Sequence, residues 1–137
     1  MSMKNTQMID SILSETLNIA IVGASDKSHR ASYGVMQFLQ KEGYRCIPVS
    51  PRLAGRTLLG EIVYAKLEDI DESIDMVDLF INSGAAGALT DSAISIGAKS
   101  VWMQLGVINE AAAIRATRAG LKVIMDHCPV IEIKRRK

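Results

Sequence analysis

Gly43-Tyr44-Arg45-Cys46-Ile47, Gly97-Ala98-Lys99-Ser100-Val101 and Gly120-Leu121-Lys122-Val123-Ile124 follow one pattern: glycine, any residue, a base, any residue, a β-branched residue. Each reads as a helix ending into a strand. Glycine supplies the left-handed conformation that closes a helix, and the base two positions on lies near the negative end of the helix dipole. Those bases have a structural reason to exist. Such joints open on the face of a parallel sheet opposite its ligand site, so they are not read as ligand contacts.

Outward from these joints, Met8, Ile9, Ile12 and Leu13 have helical spacing and predict an amphipathic leading helix over 4–16. Ile19-Ala20-Ile21-Val22 is a continuous apolar run of the kind buried on both faces of a parallel sheet. Val35, Met36, Phe38 and Leu39 mark a helix over 32–42, and a second strand covers 44–49. A third strand is expected over 76–81, then a helix from Ser83 or Ala85 to Ile96, a fourth strand over 100–104, a helix capped by Asn109 and a fifth strand over 122–125. Tyr64 and Leu67, in the long connection 52–75, suggest a short extra strand and turn.

This βα alternation predicts an α/β fold, a three-layer Rossmann-like doubly wound parallel sheet of about five strands. The expected order is 3-2-1-4-5, or the same with an added edge strand from 52–75. Organisation follows as a leading helix at 1–16, a folded domain at 17–132 and a basic tail at 133–137, read as a solvated end.

The chain has 137 residues, 48% hydrophobic and 23% charged, which suits a single globular domain with a real core. Sixteen bases against 15 acids give a net charge of +1, so no global field points to nucleic acid or an anionic membrane. Any anion site must be local. Lys99 and Gln104 interrupt the best apolar run, and the amino-terminal stretch lacks a signal-like apolar region, so a cytoplasmic protein without membrane contact is expected. Cys46 and Cys128 have no zinc-ligand spacing, and no metal site is expected.

In doubly wound sheets ligands bind beyond the carboxyl ends of the strands. After the first strand the chain reads Gly23-Ala24-Ser25-Asp26-Lys27-Ser28-His29-Arg30, leading into a helix whose free amides favour a phosphate, with Lys27 and Arg30 as flanking bases. It is neither a Walker A loop nor a G-x-G-x-x-G fingerprint, since Ser25 and Ser28 replace the required glycines. Lys27 replaces the second glycine of a nucleophile elbow. No acid follows the second strand to hold a ribose diol. Val49-Ser50-Pro51-Arg52, with Arg56 beyond, suits a phosphorylated ribose, hence NADP or coenzyme A, although Arg52 and Arg56 also read as solvated loop charges.

Catalytic constellations are thin, with His29 and His127 the only histidines. Cys128 would be a reactive thiol if His127 or a helix N-terminus lowered its pKa, but neighbours in extended chain point to opposite sides, which favours an inert thiol. Cys46, Met36, Trp102, Met103 and Met125 read as packing.

Several of these stretches together resemble the stand-alone CoA-binding domain family, relatives of the CoA-binding domain in the succinyl-CoA synthetase α subunit. They are Ile21-Val22-Gly23-Ala24-Ser25, Val49-Ser50-Pro51, Leu59-Gly60 with Tyr64 and Leu67, residues 101–107, and Val123-Ile124-Met125-Asp126-His127-Cys128-Pro129. The resemblance covers about Leu17 to Glu132. It implies that Gly23, Ala24 and Ser25 hold the CoA pyrophosphate, that Ser50, Pro51 and nearby bases meet the adenosine end, and that Phe80, Ile81 and Asn82 flank the adenine. The pantetheine would run toward Gln104 and Gly106. Two departures stand out: Ser50 replaces the usual Asn before Pro, and Ile81 follows Phe80 where many relatives carry Arg. The implied function is binding of CoA or an acyl-CoA as a small-molecule ligand, without catalysis by this chain alone. The alternatives are an NADP-dependent oxidoreductase and a CoA-linked thiol redox role for Cys128.

Overall fold

The computed structural model describes residues 3–137. Five parallel strands form the central sheet: β1 (Asn18–Val22), β2 (Arg45–Val49), β5 (Met76–Leu79), β6 (Ser100–Met103) and β7 (Lys122–Ile124). β3 (Thr57–Leu58) and β4 (Glu61–Ile62) make a separate antiparallel hairpin. The helices are α1 (Met3–Glu15), α2 (Ala31–Lys41), α3 (Ser83–Ser95), α4 (Glu110–Arg118) and α5 (Pro129–Arg135).

Alternation along each strand splits the core into two layers. Ile19, Ile21, Met76, Trp102 and Ile124 pack with Ile9 and Ile12 of α1, Val35, Met36 and Leu39 of α2, and Ile133 of α5. Ala20, Val22, Val77, Leu79, Val101 and Met103 meet α3 and α4 on the other face. Those two helices present alanines, Ala86, Ala93, Ala112 and Ala116, all fully buried, so their backbones lie close to the sheet. Each fully buried Val, Leu or Ile contributes about 1.5–3 kcal/mol, which explains why β1 is apolar at consecutive positions. The chain therefore has the expected three-layer, Rossmann-like parallel architecture.

The strand order differs from the expected one. It is β2-β1-β5-β6-β7, so the third strand of the sheet pairs with the first, Ile19 opposite Met76 through Val22 opposite Leu79, rather than extending beyond the second. Two contacts between segments distant in sequence account for this. Tyr64 occupies the outer edge of β2 through a single parallel bridge to Val49, with Tyr64 N donating to the Pro48 carbonyl at 3.0 Å. The Asp75 carboxylate accepts from the Leu17 and Asn18 amides at 3.0 and 2.9 Å, which pins the start of β5 beside the start of β1. The extra edge strand is thus only that bridge, and Leu67 begins a 3₁₀ turn. The consequence for function is a reversal of strand order at the β1/β5 seam, the switch point at which such sheets open a crevice.

The three joint glycines do adopt positive φ, 99° at Gly43, 79° at Gly97 and 95° at Gly120. Their bases have more specific partners than helix dipoles. Arg45 pairs with Glu72 and Glu61, Lys99 with Asp75 at 3.3 Å, and Lys122 with Glu15 at 2.9 Å, so each ties a strand start to a neighbouring element. The basic stretch expected as a solvated end is also engaged: Lys134 and Arg135 lie in α5, and Arg136 donates to the carboxylates of Asp10 and Glu132, fastening α5 to α1.

Candidate functional site

Gly23 sits at the seam. Its amide and that of Ala24 both donate to the Val49 carbonyl, at 3.1 and 3.2 Å, pulling the first loop toward β2. Its φ is +86°, and a Cβ built there would lie 2.3 Å from the Phe80 carbonyl oxygen. Only glycine permits both this conformation and this approach. The loop then turns through Ser25, whose Oγ accepts from the Lys27 amide at 3.1 Å, to Arg30 at the start of α2. Arg30 gives no side-chain cap and the first turn of α2 holds no acid, so the positive end of the helix dipole is left unneutralised by its own side chains.

A cleft of about 590 Å³ opens over this loop. Of the residues singled out in the sequence, Gly23, Ala24, Ser25, Lys27, Arg30, Arg52, Phe80, Ile81, Asn82 and Gln104 line it. Ser50 and Pro51 line an adjoining, more apolar groove of about 650 Å³, together with Lys66, Leu67 and Leu89. Gly23 and Ile81 belong to both, forming the crest between them. Arg56 and Gly106 stand apart from these linings. The Arg56 side chain is 71% exposed and reaches Asp26 at 3.9 Å, while the Gly106 amide donates to Asp126 Oδ1 at 2.7 Å, a turn-forming contact.

The cleft also contains residues that the sequence does not single out as ligand contacts: Ala31, Ser32 and Val35 from α2 and Leu105 and Val107 after β6; Cys128 after β7, weighed in the sequence as a thiol and favoured as inert, lines it too. The α2 residues follow from the loop itself, since the loop runs directly into the first turn of that helix. Cys128 stands beyond a strand carboxyl end, a positional cue available in the sequence. Asn82 has a structural duty, because its Oδ1 caps α3 by accepting from the Ala85 amide at 2.8 Å. Gln104 is 6% exposed, and its Oε1 is buried without a hydrogen-bond partner.

The strongly perturbed titrating groups lie outside the cleft. Asp78, inside β5, is fully buried with both carboxyl oxygens unpartnered, and burial pushes its pKa well above the ordinary carboxylate range. Burial, reinforced by the nearby Asp78 and Glu61 carboxyls, pushes the Cys46 thiol up to about 12. Among the described residues no group of three or more His, Cys, Asp or Glu side chains could hold a metal ion, and no helix is long and apolar enough to cross a membrane.

Fold and cleft together define a doubly wound α/β domain with a glycine-led loop and an open cleft at its switch point. The chain belongs to the CoA binding domain family, whose profile matches residues 17–134. It is 35% identical over 120 residues to the uncharacterized protein YneT of Bacillus subtilis (strain 168), a match covering 88% of this chain and 87% of that protein. A hypothetical protein from Pyrococcus horikoshii OT3 superposes with a TM-score of 0.90 at 35% identity, covering 95% of this chain and 90% of that one. A Thermus thermophilus structure, cell-free ID.343, gives a TM-score of 0.90 at 32% identity, covering 96% and 98%.

Proposed function

We propose that this chain binds coenzyme A or an acyl-CoA, with residues 17–132 as the binding unit and no turnover by the chain alone. The observation that carries the reading is the Gly23 crest, where bare backbone separates two grooves and the unneutralised start of α2 faces one of them. A pyrophosphate fits such a crest, because it needs close backbone approach and amide donors and leaves two unlike arms to run in opposite directions. The adenosine end would occupy the groove of Ser50, Pro51 and Lys66, and the pantetheine would follow the other cleft toward Gln104. Lys27, Arg30 and Arg52 supply positive charge along the phosphate path. Phe80, Ile81 and Asn82 form the wall between the arms. Two free cysteines suit a reducing, cytoplasmic setting.

Calorimetric titration with CoA, dephospho-CoA, NADP and NAD tests this reading. CoA should bind tightest and dephospho-CoA measurably more weakly. Equal binding of those two would remove the 3′-phosphate from the argument, and a preference for NADP would turn the assignment toward an oxidoreductase.

A further inference from the structure

Cys128 lines the cleft, is 8% exposed and carries a free thiol. The chain around it is held on several sides. The His127 carbonyl accepts from Trp102 Nε1 at 2.9 Å, the His127 amide donates to the Met103 carbonyl at 3.3 Å, and Asp126, at a φ of 60°, accepts the Gly106 amide. The thiol is therefore positioned by the fold. A second, independent feature lies in the same cleft: the Gln104 side chain, more than nine-tenths buried, has an Oε1 with no partner in the chain. A buried amide acceptor left open is costly unless a ligand donates to it. A pantetheine arm carries amide N–H groups followed by a terminal sulfur, and Gln104 and Cys128 both line the cleft.

Resting on the CoA-binding reading, we propose that Cys128 is a thiol-exchange site that captures CoA disulfides in the cleft. The Cys128 thiol loses its proton to solvent, and its sulfur attacks the CoA sulfur of a CoA disulfide. The Cys128–CoA disulfide forms as the original S–S bond breaks, and the departing thiolate takes up a proton. One disulfide is exchanged for another, so no further oxidant is required. The event is stoichiometric and is reversed by any thiol reductant. Cys46 is the internal contrast, fully buried in β2, away from the cleft.

The test uses the unmodified chain, incubated with oxidised CoA or with glutathione disulfide at equal concentration. Adducts are read by intact mass and located by non-reducing peptide mapping; CoA binding is measured separately by calorimetry under reducing conditions. Oxidised CoA should add one CoA minus the two thiol hydrogens, at Cys128, on the order of tenfold or more faster than glutathione disulfide reacts, because binding raises the local disulfide concentration. Saturating acetyl-CoA, which has no disulfide to exchange, should slow formation of the CoA adduct. If CoA binds but the adduct is absent, falls on Cys46 or forms no faster than with glutathione disulfide, the exchange site is refuted while the binding reading stands. If CoA gives no binding heat and acetyl-CoA no protection, the binding reading fails and this inference with it.

Discussion

Gly23→Ala tests the seam on which the site depends, and its cost can be worked from geometry. A φ of +86° costs an L-residue about 1–2 kcal/mol relative to glycine. The new Cβ would also stand 2.3 Å from the Phe80 carbonyl oxygen, which is backbone of β5's exit and cannot swing aside as a side chain would. Overpacking of that kind costs about 1–3 kcal/mol, so the variant should lose about 2–5 kcal/mol, a large part of a typical domain's stability. Gly60→Ala separates the two contributions, because Gly60 has a φ of +84° but nothing within 4 Å of the place its added methyl would take. Urea unfolding of both variants should show the Gly23 change costing more by about 1–3 kcal/mol. If the two costs agree within about 0.5 kcal/mol, the close approach at the seam is not real and the account of the crest fails.

Arg52→Ala should weaken CoA by about tenfold to a hundredfold in calorimetry, whereas Arg56→Ala, outside the cleft, should change it little; the reverse order would move the phosphate path. Lys99→Ala, at the opposite end of the sheet, should leave CoA affinity unchanged in the same titration. Asp78 has a raised folded-state pKa, so the folded state binds the extra proton and stability should fall as pH rises above the unfolded value of about 4; Asp78→Asn should flatten that fall in urea melts taken across the range. At Asp75 burial raises the pKa, but the Asn18 and Leu17 amides and Lys99 outweigh it and hold the group low. Its contribution should be present above the unfolded pKa and lost as pH falls through the folded one, and Asp75→Ala should cost about 1–3 kcal/mol at neutral pH.

Much of the fold is readable because its determinants are local. The run Ile19–Val22 announces a strand buried on both faces, Asn109 caps α4 by accepting from Ala112, and the joint glycines close their helices where the pattern puts them. Strand order is not local. It depends on Asp75 reaching the Leu17 and Asn18 amides and on Tyr64 closing the β2 edge, contacts that span long sequence separations and leave no periodic trace. α5 did carry a signal, Pro129 at its first turn and Val130 and Ile133 at helical spacing, but with 122–125 taken as the last element and 133–137 as a basic tail no helix is expected there. The site divides in the same way. The loop residues Gly23 to Arg30 follow from one strand–turn–helix, whereas the inclusion of Cys128 and the exclusion of Arg56 depend on how separate loops converge.

The central claim is that CoA lies across the carboxyl ends of β1, β5 and β6 with its pyrophosphate on the Gly23 crest. Backbone amide resonances followed during a CoA titration test it most directly. The largest shifts should fall on Gly23, Ala24, Ser25 and the first turn of α2, with Gln104 and Cys128 also moving and Gly43, Gly97 and Gly120 still. No shifts, or shifts concentrated at those three joint glycines, would contradict it.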